Sequence, residues 1–94
     1  MKKNTIDDLG RVNIPKELLE KLGYRKGFKF EFDLEAQELN LIMVEETNYK
    51  SVRLLDELNR ITMPIELRRQ AGFETGDIIK FKINGVKLVL SKVS

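Results

Sequence analysis

Displaced by 49 positions, the chain falls back onto itself. Asp7-Asp8-Leu9-Gly10-Arg11-Val12-Asn13-Ile14-Pro15-Lys16-Glu17-Leu18 lands on Asp56-Glu57-Leu58-Asn59-Arg60-Ile61-Thr62-Met63-Pro64-Ile65-Glu66-Leu67, and no gap is needed afterwards. Gly23 meets Gly72, Tyr24 meets Phe73, Gly27 meets Gly76, Phe32 meets Phe81, and Leu39 and Leu41 meet Leu88 and Leu90. A proline, two glycines and an apolar alternation kept in one register mark two copies of one unit, roughly 3–44 and 52–93, joined by residues 45–51. The chain therefore divides into copy one within 1–48 and copy two within 49–94. A unit of about 42 residues is too small to close a core alone. Two units sharing one core, with strands interleaved into a closed barrel about a pseudo-two-fold axis, solve that problem and cover the sheet edges.

Each copy carries the same local signals. Thr5–Leu9 and Val52–Asp56 suit a first short strand, and Arg11–Ile14 and Arg60–Met63 a second. Between them Gly10 is replaced by Asn59, and these are the two residue types that accept a positive φ most readily, so both turns are expected to need a left-handed residue. Pro15 and Pro64 suit the first turn of short helices, Pro15–Leu22 and Pro64–Ala71, with Glu17 and Glu66 near the positive dipole end. Gly23 and Gly72 occupy the place of left-handed C-terminal caps, after which Tyr24 or Phe73 packs back on the core. Phe28-Lys29-Phe30-Glu31-Phe32 and Ile78–Ile83 alternate as strands with one buried face. Asn84-Gly85 signals a two-residue hairpin leading into Lys87–Leu90. Copy one has Glu35-Ala36-Gln37-Glu38 there, with no such dipeptide.

Composition removes whole classes of chemistry. The 94 residues include no cysteine and no histidine, which excludes disulfides, thiol nucleophiles, imidazole bases and the usual zinc ligands. Neither catalytic residues nor a metal or other cofactor is expected, and a barrel this small offers little room for a small-molecule substrate. Hydrophobic residues form 41% and charged residues 34%, the balance of a soluble folded chain with no run for a membrane span and no signal-peptide core. The expected location is the cytoplasm. Net charge is +2, but it is unevenly divided: residues 1–48 hold eight Lys and Arg against ten Asp and Glu, and residues 49–94 hold nine against five. Copy two is thus the basic half, the half suited to a polyanion.

The stretch from Asp56 to Arg69, continuing through Gly72, Gly76 and the last hairpin, closely resembles the AbrB/MazE/SpoVT swapped-hairpin DNA-binding family. Asp8 to Leu18 carries the same resemblance in copy one, so that together they span nearly the whole chain. The resemblance implies a mainly β fold with two short helices: an AbrB-like swapped-hairpin barrel in which two tandem copies form an intrachain pseudo-dimer. It also implies double-stranded DNA as partner, through arginines in the first strand, after the turn glycine and as a pair on the helix. Copy two matches all of these with Arg53, Arg60, Arg68 and Arg69. Copy one matches only Arg11, since Asn4 and Leu19-Glu20 stand at the other positions.

Arginine donates bidentate bonds to phosphates and guanine edges, so four of them within 17 residues suit a DNA face. The plainer alternatives are a solvated helix face for Arg68 and Arg69, and a bracing role for Arg11 and Arg60 against Asp7/Asp56 or Asp8/Glu57. Phe28, Phe30 and Phe32 read as core, Lys2-Lys3 as loose terminal charge, and Glu45-Glu46 as a solvated connector. The expected function is transcriptional regulation through an arginine face mainly from copy two. The alternative is an antitoxin or protein-interaction module with weak DNA binding and a protein partner, although no acidic tail follows the last strand in this sequence. Self-association of chains, with Leu19 as an exposed apolar contact, would rebuild a symmetric basic surface.

Overall fold

Residues that dictate backbone shape divide the chain into short elements, and a computed structural model describes residues 2–45 and 51–93. The order is β1 (Lys2–Thr5), β2 (Arg11–Asn13), α1 (Lys16–Leu22), β3 (Lys29–Glu35), β4 (Glu38–Val44), β5 (Val52–Leu54), β6 (Arg60–Thr62), α2 (Ile65–Ala71), β7 (Ile78–Asn84) and β8 (Lys87–Lys92). Most of the connector expected at 45–51, including Glu46, lies outside the described residues.

Both helices are single seven-residue segments ended by the same device. Gly23 and Gly72 adopt left-handed φ of 75° and 77°. Their N–H groups bond the carbonyls of Glu20 and Arg69, and the next residue reaches one further back: Tyr24 N to Leu19 O, Phe73 N to Arg68 O, both 2.9 Å. This six-to-one plus five-to-two pattern satisfies the last carbonyls and folds the following aromatic onto the helix. Phe73 is buried, and Tyr24 stacks on the fully buried Phe30 with ring centroids 5.9 Å apart. Pro15 and Pro64 lie one residue earlier than expected: with ψ of 135° and 129° they are extended residues ahead of the helices, which begin at Lys16 and Ile65.

The first strands also differ from expectation. In copy one the strand is Lys2–Thr5, so Lys3 is a strand residue and not loose charge, while residues 7–9 form the turn. The cause is Asp7, whose carboxylate accepts backbone N–H groups from Leu9 and Arg11 and bends the chain there. Asp56 shortens β5 to Val52–Leu54 in the same way.

The strands form a curled six-stranded antiparallel sheet, a half-barrel in the order β1-β7-β8-β4-β3-β5, and a separate antiparallel ribbon of β2 and β6. The sheet does not close on itself: β2 and β6 pair with each other and not with the edge strands β1 and β5. Strands from the two halves interleave: the β7–β8 hairpin of the second half lies between β1 and the β4–β3 hairpin of the first, and β5 of the second half follows. β1 pairs with β7 so that Asn4 opposes Ile79, and β5 pairs with β3 so that Arg53 opposes Phe30, positions that differ by 49 in each case. Two pairings join a residue to its own counterpart, Asn40 with Val89 in β4–β8 and Val12 with Ile61 in the ribbon.

Alternation within these strands makes the core. Phe30, Phe32, Leu39, Leu41, Ile79, Phe81, Leu88 and Leu90 are buried from the sheet, and Val12, Ile14, Ile61 and Met63 close it from the ribbon side. Phe28 lies just outside β3 and is half-buried. Leu19 is only 4% exposed, so it belongs to the core and offers no contact for pairing of chains.

Both sheet hairpins have two-residue loops. Asn84 pairs with Lys87, so Gly85 and Val86 form the loop, one residue later than the Asn84-Gly85 signal suggests. Glu35 pairs with Glu38 in copy one, leaving Ala36 and Gln37. Gly85 has φ 65° and Ala36 has φ 57°, so Ala36 holds a conformation that a Cβ disfavours by about 1 kcal/mol or more. Ala36→Gly is therefore expected to stabilise the protein by ~0.5–1 kcal/mol after its own entropic cost. A urea midpoint raised at constant slope would show this; an unchanged or lower midpoint would mean that Ala36 is unstrained.

Candidate nucleic-acid interface

The ribbon begins where two carboxylates each gather three N–H donors. Asp7 Oδ1 accepts from the backbone of Leu9 (3.0 Å) and Arg11 (2.9 Å), and Oδ2 accepts from Arg11 Nε at 2.7 Å. Asp56 repeats the set with Leu58 N and Arg60 N, both 2.9 Å, and Arg60 Nε at 2.7 Å. Gly10 and Asn59 close the turns with φ of 75° and 61°, as the exchange of Gly for Asn predicts. The bracing alternative for Arg11 and Arg60 therefore holds, and it is Asp7 and Asp56 that brace them.

Only one edge of each guanidinium is used in that contact. Arg11 Nη1 also lies 3.9 Å from Asp56 Oδ2, which links the two turns, while the terminal nitrogens of Arg60 have no ion pair other than Asp56 among the described residues. In the ribbon Arg11 opposes Thr62 and Asn13 opposes Arg60, with buried Val12 and Ile61 between them. Side chains alternate along a strand, so Arg11, Asn13, Arg60 and Thr62 share the outer face. Asn13 Nδ2 donates to the carbonyl of Leu58, and Asn4 Nδ2 donates to the carbonyl of Asn13 at 2.6 Å. Asn4, at the position matching Arg53, thus supports the ribbon.

Arg68 joins this group from α2. It occupies the helix position matching Leu19, but its guanidinium lies over buried Gly10: a Cβ on Gly10 would sit 3.3 Å from Arg68 Nε and 3.4 Å from its Cζ. The structure therefore brings Arg11, Arg60 and Arg68 together around the ribbon. Arg53 lies instead in an open groove of about 470 Å³ beside the first turn of α2, with Phe32, Pro64, Ile65 and Leu67 in its walls, and donates Nη1 to the carbonyl of Val52. Arg69 is exposed and 3.7 Å from Glu66. With Arg68 it borders a hollow of about 240 Å³ that also includes Phe73 and Thr75. Sequence reasoning missed Asn13 and the Gly10–Arg68 packing. The signal for Asn13 was available, since a polar residue alternating with an arginine in a strand shares its face.

The bonds to Asp7 favour its ionised form, the backbone N–H of Arg11 most, against some desolvation, and its pKa lies below the usual carboxylate value. At Asp56 desolvation is the largest single influence and raises the pKa, but the bonds from Arg60 N, Arg60 Nε and Leu58 N together outweigh it, with the same net direction. Asp77, bonded by Glu74 N and paired with Lys92, is lowered as well.

No family model matches the chain, and no curated protein aligns with it. Its fold is similar to that of the solution structure of PHS018 from Pyrococcus horikoshii, with a TM-score of 0.53 over 99% of this chain and 87% of that one, at 19% identity. At that identity the likeness concerns the fold alone. Among the described residues no helix is long and apolar enough to cross a membrane, and no group of three acidic side chains is placed to hold a metal ion.

Two outcomes follow from this geometry. Carboxylates with a lowered folded pKa add stability that is complete above their ordinary value, about 3.9, and lost as pH falls below it. Asp56→Asn should therefore lower the melting temperature at pH 7 and flatten its decline between about pH 5 and 2; an unchanged acid profile would deny the turn its role. Gly10→Asn keeps a residue that accepts positive φ but places a Cβ against Arg68. It should leave the fold intact and shift the Arg68 Nε NMR resonance, whereas an unmoved resonance would contradict the packing.

Proposed function

We propose that the protein is a double-stranded DNA-binding regulator of transcription, of the AbrB type, acting in the cytoplasm. In this reading copies 1–48 and 49–94 form a swapped-hairpin pseudo-dimer within one chain, and its arginine surface comes mainly from copy two. The observation that carries it is the gathering of Arg11, Arg60 and Arg68 around one two-stranded ribbon, with Arg69 beside them on α2. A β-ribbon is one of the elements a DNA groove admits. Several guanidinium groups on one surface supply the counterion-release contribution that dominates DNA affinity.

The interleaving of hairpins from the two halves supports the pseudo-dimer, and the offset of 49 between the matching pairs Asn4–Ile79 and Arg53–Phe30 supports tandem copies. Copy one contributes Arg11, but has core Leu19 where copy two has Arg68 and exposed Glu20 where it has Arg69. The surface is therefore lopsided, suited to an asymmetric site. Arg53 contributes from the groove edge if its side chain swings toward the duplex.

Binding to random-sequence duplex DNA, titrated with salt and paired with light-scattering mass, tests the proposal. Arg68→Ala/Arg69→Ala removes the packing on Gly10 but keeps every bond of Asp7 and Asp56, so the fold should persist while affinity falls and the slope of log K against log salt drops by roughly 2. Lys16→Ala/Lys21→Ala should have a smaller effect. Equal losses from both pairs would refute the dominance of copy two. No binding by the wild type at low salt would refute the DNA reading and favour a protein partner of the antitoxin kind.

A further inference from the structure

Leu9 and Leu58 stand 49 residues apart on the two turns that lead into β2 and β6, and they are 68% and 61% exposed. Their backbones are fixed by the Asp7 and Asp56 carboxylates, so both leucines are presented by rigid turns. Isolated surface leucines are ordinary. These two occupy matching positions at opposite ends of one ribbon, and Asn13 on the ribbon's outer face bonds the carbonyl of Leu58. The Leu58 turn is thereby tied to the ribbon face that carries Arg11 and Arg60.

The chemistry between the leucines selects what covers them. Arg11 and Arg60 lie on the ribbon and Arg68 beside it, so an occupant must be anionic along its length and apolar at two separated points. The major groove of duplex DNA meets both conditions, since it is lined by phosphates and exposes the C5 methyl of each thymine. Its width of about 12 Å admits a two-stranded ribbon. Leu9 and Leu58 sit on the turns just before Arg11 and Arg60, so each exposed leucine neighbours a braced arginine.

Building on the DNA-binding reading, we propose that Leu9 and Leu58 are thymine-methyl contacts in the major groove, reading two positions on either side of the arginine ribbon. The arginines supply affinity, and the leucines supply a preference for thymine that phosphate contacts lack.

The test uses the full chain and two duplex probes, the alternating A–T copolymer and the alternating A–U deoxy copolymer, which differ in the C5 methyl. Fluorescence anisotropy at low salt should give the wild type about fifteen-fold tighter binding to the A–T probe, from about four-fold per leucine for one buried methyl each. Leu9→Ala/Leu58→Ala should bind the two probes equally, with its affinity for the A–U probe and its salt slope unchanged. Equal binding of both probes by the wild type would overturn the proposal while leaving DNA binding standing. A thymine preference retained by the double variant would overturn it too, and no binding of either probe would overturn it together with the DNA-binding reading. The wild-type comparison is decisive even if the double variant proves unstable.

Discussion

Asp7 and Asp56 each hold three N–H donors, and the arrangement of the chain depends on that interaction. Each carboxylate stops a strand, turns the chain through a left-handed residue and starts the ribbon strand with its arginine already fixed. An isolated ion pair at this exposure would contribute little. Here the pair is one of three bonds from a single carboxylate, two of them to backbone, so its effect is on geometry. With β2 and β6 placed, Val12, Ile14, Ile61 and Met63 face the sheet and close the core.

The two halves share a plan but differ where it matters most. Leu19 and Arg68 occupy the same helix position, and Gly10 and Asn59 the same turn position. Leu19 is core, whereas the Arg68 guanidinium passes over the one turn residue that has no Cβ. The contact crosses the halves: Arg68 of the second packs on Gly10 of the first.

Much of this was legible in the sequence because repetition doubles every signal. The exchange of Gly10 for Asn59 disclosed the left-handed turns, and Gly23 and Gly72 disclosed the helix ends. The Phe30/Phe32 alternation disclosed the buried face of β3. What the sequence hid were tertiary effects. Strand ends at Asp7 and Asp56 depend on where a carboxylate finds its donors, and Ala36 takes a left-handed turn because the paired strands impose a two-residue loop. Arg68 and Leu19 separate only when the opposite turn is in place. The candidate arginines were visible as a set, but their division, with Arg11, Arg60 and Arg68 at the ribbon, Arg53 in the groove and Arg69 outside, required the packing.

In the proposed function the braced ribbon and the adjoining Arg68 and Arg69 of α2 are the main surface that meets DNA. Residue-resolved amide and arginine side-chain NMR during titration with a short random-sequence duplex tests it most directly. Perturbations are expected to concentrate on Leu9–Asn13, Leu58–Thr62 and Arg68–Arg69, with the β4–β8 centre around Asn40 and Val89 unmoved. Perturbations centred on β4 and β8, or spread evenly over the lysines, would contradict it.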